Sequence, residues 1–158
     1  MASRLQGRIA IVTGSESGIG QATAEAFAEE GADVVVTWFR DRDGAAETAR
    51  RIEAAGRRAL VLPLDVRDPD AVAQAFARTG RELGAPYILV NNAGIDAGGA
   101  PVASMALEDW DNELKINLYG PFYRCQQFVR ARQAAGGGGK IINVTSVHEE
   151  VPRAGAAG

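Results

Sequence analysis

The chain has 158 residues, 46% hydrophobic and 23% charged, with a formal net charge of −3. This is enough for one domain with its own core and too little for two comfortable ones, and the ordinary globular usage excludes disordered, collagen-like and coiled-coil classes. The acidic balance provides no clustered basic face for nucleic acid or an anionic membrane. A single cysteine, Cys125, cannot form an internal disulfide, and the start MASRLQGR lacks the apolar core of a secretory signal, so a reducing cytoplasm is expected. No apolar run approaches the roughly 20 residues of a membrane span.

RIAIVT (8–13) is a β-branched run and predicts a strand; Ile19, Ala22, Thr23, Ala26 and Phe27 come next at helical spacing, with Gly31 behind the last turn. DVVVTW (33–38) predicts a second strand, and the stretch from about Asp43 to Gly56 a second helix. ALVLPLDV (59–66) reads as a third strand, after which Asp68 as cap and Pro69 at the first helical position open a helix with Val72, Ala75, Phe76 and Thr79 on one face. YILVNNAG (87–94) is a fourth strand running into a glycine turn. A long helix from about Glu108 to Ala134 carries Trp110, Leu114, Leu118, Phe122, Cys125 and Val129, with a kink expected at Pro121. Gly136 to Gly139 end it, and KIINVTS (140–146) is a fifth strand. Near-continuous apolar strands alternating with helices imply a doubly wound parallel sheet of the Rossmann type, a three-layer α/β/α domain with strand order 3-2-1-4-5.

The first strand runs directly into IVTGSESGIGQ, which places Gly14, Gly18 and Gly20 between strand and helix. Gly14 permits a tight exit from the strand, Gly18 lets a phosphate approach the backbone without meeting a Cβ, and Gly20 lets the helix pack close to the sheet. Unpaired N–H groups of the first helical turn, with the helix dipole behind them, favour an anion there, and Ser15 and Ser17 can add hydroxyl donors. A bare glycine-rich turn is the plainer alternative. The position of this turn, within repeated βα units, favours a dinucleotide.

TGSESGIG (13–20), LDV (64–66), NNAG (91–94), NLYG (117–120) and INVTSVHE (142–149) stand in an order and spacing that resemble the classical short-chain dehydrogenase/reductase family, and within it the glucose 1-dehydrogenase and 3-oxoacyl-carrier-protein reductase branches. The resemblance covers essentially the whole sequence. It implies that Gly14, Ser15, Ile19 and Gly20 line a pyrophosphate, that Asp65 accepts from the adenine amino group beside the backbone of Val66, and that Asn91, Ala93 and Gly94 form the floor under the adenosine ribose. It also implies an NAD(P)-dependent oxidoreductase acting on a secondary alcohol or ketone such as a sugar, polyol or 3-oxoacyl compound, commonly as a tetramer.

The choice of cofactor falls near the end of the second strand, where a carboxylate bonds a ribose 2′-hydroxyl and a basic residue accepts a 2′-phosphate. The sequence there, Thr37-Trp38-Phe39-Arg40-Asp41-Arg42, has no acid at the strand end and offers Arg40 first. NADP is therefore expected to be preferred, with NAD tolerated, unless Asp41 and Asp43 hold both arginines as surface ion pairs. The doublets Arg50-Arg51 and Arg57-Arg58 read as solvated surface.

For catalysis the resemblance assigns Ser146 to the substrate oxygen and Asn117 to a proton-relaying water. A Y-x-x-x-K pair, which would exchange the proton, is not found in the sequence: Tyr87, Tyr119 and Tyr123 are followed at the fourth position by Asn91, Tyr123 and Gln127. Three expectations are open: the front part of an enzyme of about 250 residues by family resemblance, a dinucleotide-binding module without chemistry, or a site completed by another chain. The first is favoured, because a last strand without a covering helix leaves apolar sheet exposed. Asp96, His148 and Glu149 lie near the expected mouth and are candidate substrate contacts; no metal cluster is expected.

Overall fold

The computed structural model describes residues 3–96 and 100–147. Five parallel strands, β1 (Ile9–Val12), β2 (Asp33–Trp38), β3 (Ala59–Pro63), β4 (Ile88–Asn91) and β5 (Lys140–Asn143), form one sheet in the order β3-β2-β1-β4-β5. Between them run α1 (Gly18–Glu29), α2 (Arg42–Ala54), α3 (Pro69–Glu82), α4 (Leu107–Leu114) and α5 (Gly120–Ala134). Alternate strand residues face opposite layers. Ala10, Val12, Val34, Val36 and Val90 pack with Ala24, Ala28, Ala45 and Ile52 of α1 and α2. Ile11, Val35, Leu60, Leu62 and Leu89 pack with Val72 and Phe76 of α3 and Phe128 of α5. This is the expected three-layer architecture and strand order. Among the described residues no helix is long and apolar enough to cross a membrane.

Capping chemistry sets the helix starts. Asp68 accepts from the N–H groups of Asp70 and Ala71, with Pro69 in the first turn, as read from the sequence. At α2 the cap is Asp41, which accepts from Gly44 N at 2.8 Å. The helix thus begins one residue before the expected Asp43.

Several expectations are corrected. Strands β3, β4 and β5 end at Pro63, Asn91 and Asn143, three residues before each expected end; one further backbone bond follows β3 and β5, from Leu64 N to Trp38 O and from Val144 N to Asn91 O, before the chain leaves the sheet. On α1 the fully buried, sheet-facing residues are Gly20, Ala24 and Ala28, small enough to allow close approach to the sheet; of the expected series Phe27 packs half-buried against the core, whereas Ile19, Ala22 and Ala26 are exposed. The kink expected at Pro121 is instead a π-helical segment, Lys115–Tyr119, between α4 and α5. One extra residue in that turn rotates the next helix about its axis, so Gly120, Arg124 and Phe128 face the sheet, whereas Phe122 and Val129 are exposed and Cys125 is half-buried. The basic doublets lie away from the sheet's carboxyl edge: Arg51 pairs with Glu47 and Glu25, Arg50 with Glu47, and Arg57 and Arg58 with Asp33 at the start of β2.

Candidate functional site

The turn after β1 has the backbone geometry that its glycines permit. Gly14 and Gly18 have φ of 62° and 55°, in the left-handed region. A Cβ at Gly20 would lie 2.2 Å from the Gly14 carbonyl oxygen and 2.5 Å from Asn92 Nδ2, so only glycine fits. A Cβ at Gly18 would meet nothing within 4 Å, which leaves that side of the turn open. Ser17 caps α1 through its backbone without a side-chain hydrogen bond, and the first turn carries no acid. Gly18 and Ile19, both exposed, open α1 with N–H groups that have no intrahelical acceptor and the positive end of the helix dipole behind them.

Buried hydroxyls hold this turn in place. Ser15 Oγ donates to Val12 O at 2.8 Å and accepts from Thr37 N at 3.0 Å, while Ser15 N donates to Thr37 O at 3.1 Å. Thr48 Oγ1 bonds Ser15 O at 2.9 Å and accepts from Gln21 Nε2 at 2.8 Å. The expectation of a Ser15 hydroxyl on a phosphate is thus corrected: Ser15 is fully buried and its hydroxyl is committed to the sheet. Ser17 is the exposed hydroxyl of the pair. On the β4 side, Thr13 Oγ1 donates to Val90 O and accepts from the N–H groups of Asn92 and Ala93, and Asn92 Nδ2 donates to Thr13 O and Gly14 O at 2.9 and 3.0 Å. Asn92, absent from the sequence-derived set, locks β4 to the glycine turn; its place one residue into NNAG was the available signal.

These elements border a cleft of about 670 Å³ at the carboxyl edge of the sheet, where ligands bind in open α/β folds. Gly14, Ser17, Gly18 and Ile19 border it from the first turn, Arg40 from the end of β2, Asp65 and Val66 from beyond β3, and Ala93, Gly94 and Asp96 from beyond β4. Most of the residues expected to hold a cofactor thus meet in one cleft. Gly20 lies behind the wall as a packing position, not a contact. Glu16, Phe39, Arg67 and Asn112 also line the cleft and were not singled out.

Electrostatics in the cleft are mixed. Arg67 chelates Asp65, with Nη2 at 2.7 Å from Oδ2 and Nε at 2.9 Å from Oδ1, and its Nη1 donates to Asn112 Oδ1 at 2.8 Å. This guanidinium holds the Asp65 carboxyl below the usual carboxylate range. Arg40 forms no ion pair among the described residues, so the anticipated pairing with Asp41 or Asp43 does not occur; its guanidinium lies 5.6 Å from the Phe39 ring centroid.

Three candidates, Asn91, Asn117 and Ser146, are not among the residues that line the cleft. Asn91 is buried beneath the cleft, not on its floor: Oδ1 accepts from Arg124 Nε at 2.7 Å, and Nδ2 donates to Asn143 Oδ1 at 2.8 Å and toward Cys125 Sγ at 3.4 Å. Arg124 is fully buried, with Nη1 and Nη2 unpartnered among the described residues, and burial lowers its pKa to about 10. Asn117, in the π-helical segment, uses both ends of its side chain on Ile95, accepting from N at 3.0 Å and donating to O at 2.7 Å, so it anchors the loop after β4. Ser146 is exposed three residues beyond the end of β5, at the same carboxyl edge. His148 and Glu149 lie outside the described residues. Among those described, no group of acidic, cysteine and histidine side chains could hold a metal.

A family model described as short chain dehydrogenase matches residues 8–158. The uncharacterized oxidoreductase YohF of Escherichia coli (strain K12) is 39% identical over 145 residues, covering 92% of this chain and 57% of that protein. Glucose 1-dehydrogenase 2 of Bacillus subtilis (strain 168) is 36% identical over 150 residues, covering 94% and 58%. The crystal structure of acetoin dehydrogenase from Enterobacter cloacae superimposes with a TM-score of 0.89 at 42% identity, over 96% of this chain and 60% of that one. The chain thus spans 57% to 60% of the length of these relatives.

Proposed function

From the premise that the chain belongs to the short-chain dehydrogenase family, we propose that its cleft binds NADP in preference to NAD, as the cofactor part of an oxidoreductase acting on a secondary alcohol or ketone. The observation that carries this reading is the unblocked start of α1: open space over Gly18, an uncommitted Ser17 hydroxyl and no first-turn acid, all facing the cleft. A diphosphate there would accept from backbone N–H groups and lie on the helix dipole. The cleft volume suits a large ligand held along its length.

Ser17 and the N–H groups of Gly18 and Ile19 would hold the diphosphate; Val66 would offer its backbone and Asp65 its carboxylate to the adenine. Arg67 already takes part of the Asp65 acceptor capacity, so it orients that carboxylate. Arg40, without a carboxylate partner among the described residues, is available to a 2′-phosphate, and Ala93 and Gly94 floor the ribose. Bound there, the nicotinamide supplies hydride chemistry. Ser146 would hydrogen-bond the substrate oxygen, while Asn117 fixes the loop carrying Ile95 and Asp96. The Y-x-x-x-K pair that exchanges the proton in the family is not among the 158 residues, and no proton step is assigned to them. Relatives named for glucose and acetoin differ in substrate, so the class proposed is a secondary alcohol or ketone, with sugars, polyols and 3-oxoacyl compounds inside it.

Titration with NADP and NAD tests the reading, with Trp38, which borders the cleft, as fluorescent reporter. Both dinucleotides are expected to bind, NADP more tightly, and Arg40→Ala is expected to weaken NADP about tenfold or more while sparing NAD, as loss of one charged phosphate contact predicts. No heat and no fluorescence change with either dinucleotide would refute the assignment. Dinucleotide binding without alcohol oxidation by a natural protein whose intact mass is that of these 158 residues alone would establish a binding module instead.

A further inference from the structure

Among the residues that border the cleft, Glu16 is an acid with no part in the nucleotide contacts described above. Glu16 borders the cleft together with Thr37, Phe39 and Arg40, and its Oε2 is buried with no hydrogen-bond partner among the described residues. A buried carboxylate oxygen without a donor is costly, and native structures rarely retain one without a use. Glu16 forms no ion pair among the described residues and does not cap α2, whose cap is Asp41.

Its position is set by the backbone. Ser15 O is bonded by Thr48 of α2, and Glu16 O sits so close to α2 that a Cβ at Gly44 would approach it to 2.4 Å. Residues 15 and 16 are therefore pinned on the β2–α2 side of the glycine turn. That is the side on which the end of β2 meets the adenosine ribose in dinucleotide folds. Glu16 and Arg40 thus address the same end of the cleft with opposite charges, one from the turn after β1 and the other from the end of β2.

Resting on the dinucleotide reading above, we propose that Glu16 is a specificity-determining residue that accepts a hydrogen bond from an adenosine ribose hydroxyl and opposes a 2′-phosphate, offsetting the attraction of Arg40. A ribose 2′-hydroxyl supplies the donor that Oε2 lacks. A 2′-phosphate removes that donor and brings close to two negative charges beside the carboxylate. Selectivity by an unfavourable element set against a favourable one narrows the difference between two ligands. Glu16 therefore supplies the acid that the end of β2 lacks, from a different segment.

The test measures dissociation constants for NAD and NADP, by Trp fluorescence and calorimetry, for the wild-type chain and for Glu16→Gln, which keeps shape and one acceptor oxygen while removing charge. The expected result is a shift of the NADP-to-NAD affinity ratio toward NADP by about five- to tenfold, shrinking as salt is raised. Displacement by adenosine and by adenosine 2′-monophosphate gives an independent measurement on the wild-type chain. There the 2′-phosphate is expected to gain less than tenfold, and it is expected to gain more in Glu16→Gln. An affinity ratio unchanged within twofold in a variant that melts like wild type overturns the proposal. Wild-type protein that binds neither dinucleotide overturns the underlying reading, and the proposal with it.

Discussion

Gly18 and Gly20 lie two residues apart, yet the structure gives their substitution by alanine opposite consequences. At Gly20 the added methyl would meet Gly14 O at 2.2 Å and Gly14 C at 2.8 Å, backbone atoms that cannot rotate away, and Asn92 Nδ2 at 2.5 Å. Overpacking of this kind costs about 1–3 kcal/mol. Displacing Asn92 adds its bonds to Thr13 O and Gly14 O, worth about 1 kcal/mol each. The better helix propensity of alanine returns about 1 kcal/mol. The net cost is about 2–4 kcal/mol, which at roughly 2–4 °C per kcal/mol for a chain of this size lowers Tm by roughly 5–15 °C. At Gly18 the methyl would meet nothing, so only the φ of 55° is penalised, at about 1 kcal/mol and a few degrees. The methyl there would stand in the open space where the proposed diphosphate would approach. Thermal unfolding combined with dinucleotide titration separates the two: Gly20→Ala should lose stability first, whereas Gly18→Ala should stay folded and lose at least tenfold in affinity. A Gly18→Ala protein that binds both dinucleotides like wild type would refute the cradle, and a Gly20→Ala protein with unchanged Tm would refute the contact.

The two serines of the same turn should divide in the same way. Ser15→Ala removes a buried acceptor from Thr37 N and a donor to Val12 O, and is expected to cost about 1–3 kcal/mol in urea unfolding, with altered affinity only through that loss. Ser17→Ala removes an exposed hydroxyl with no capping bond, and is expected to leave the urea midpoint unchanged and weaken dinucleotide binding several-fold. Asp33 gives a pH dependence: burial raises its carboxyl pKa, but the Arg58 backbone N–H and the guanidiniums of Arg58 and Arg57 outweigh that and leave it lowered. Its stabilisation is fully present above the unfolded value near 3.9 and is lost as pH falls through the lower folded value. Asp33→Asn should therefore be about 2 kcal/mol less stable than wild type at pH 6, and the gap should narrow in urea titrations as pH falls below the unfolded value; a gap that does not narrow on acidification would refute the ion-pair origin.

Much of the fold was legible because its signals are local. Apolar runs, the Asp68–Pro69 start and the glycine spacing act within a few residues, and alternation of strands with helices leaves few topologies once crossovers are right-handed. The cleft was legible for a related reason: in such a sheet every strand delivers its carboxyl end to one edge, so residues just past the strands converge there. Gly14, Ser17, Gly18, Arg40, Asp65, Val66, Ala93 and Gly94 all border the cleft by that rule.

The misplaced residues share a different origin, in pairings that no local pattern announces. Ser15 and Asn91 look like cleft residues because they stand at or just past strand ends, but each turns inward to a partner distant in sequence: Ser15 bonds Thr37, 22 positions away, and Asn91 bonds Arg124, 33 positions away. The Asn91–Arg124 pairing itself depends on the π-helical turn at Lys115–Tyr119, which rotates α5 and brings Arg124, not Phe122, against the sheet. Without that turn, an apolar stripe through Phe122, Cys125 and Val129 is the natural inference from spacing. With it, a guanidinium lies buried beneath the cleft, bonded to Asn91, while Asn91 bonds Asn143 at the end of β5. One inserted residue therefore decides which side chain joins α5 to the two strand ends below the site, and such an insertion breaks the 3.6-residue period on which a stripe read from spacing depends.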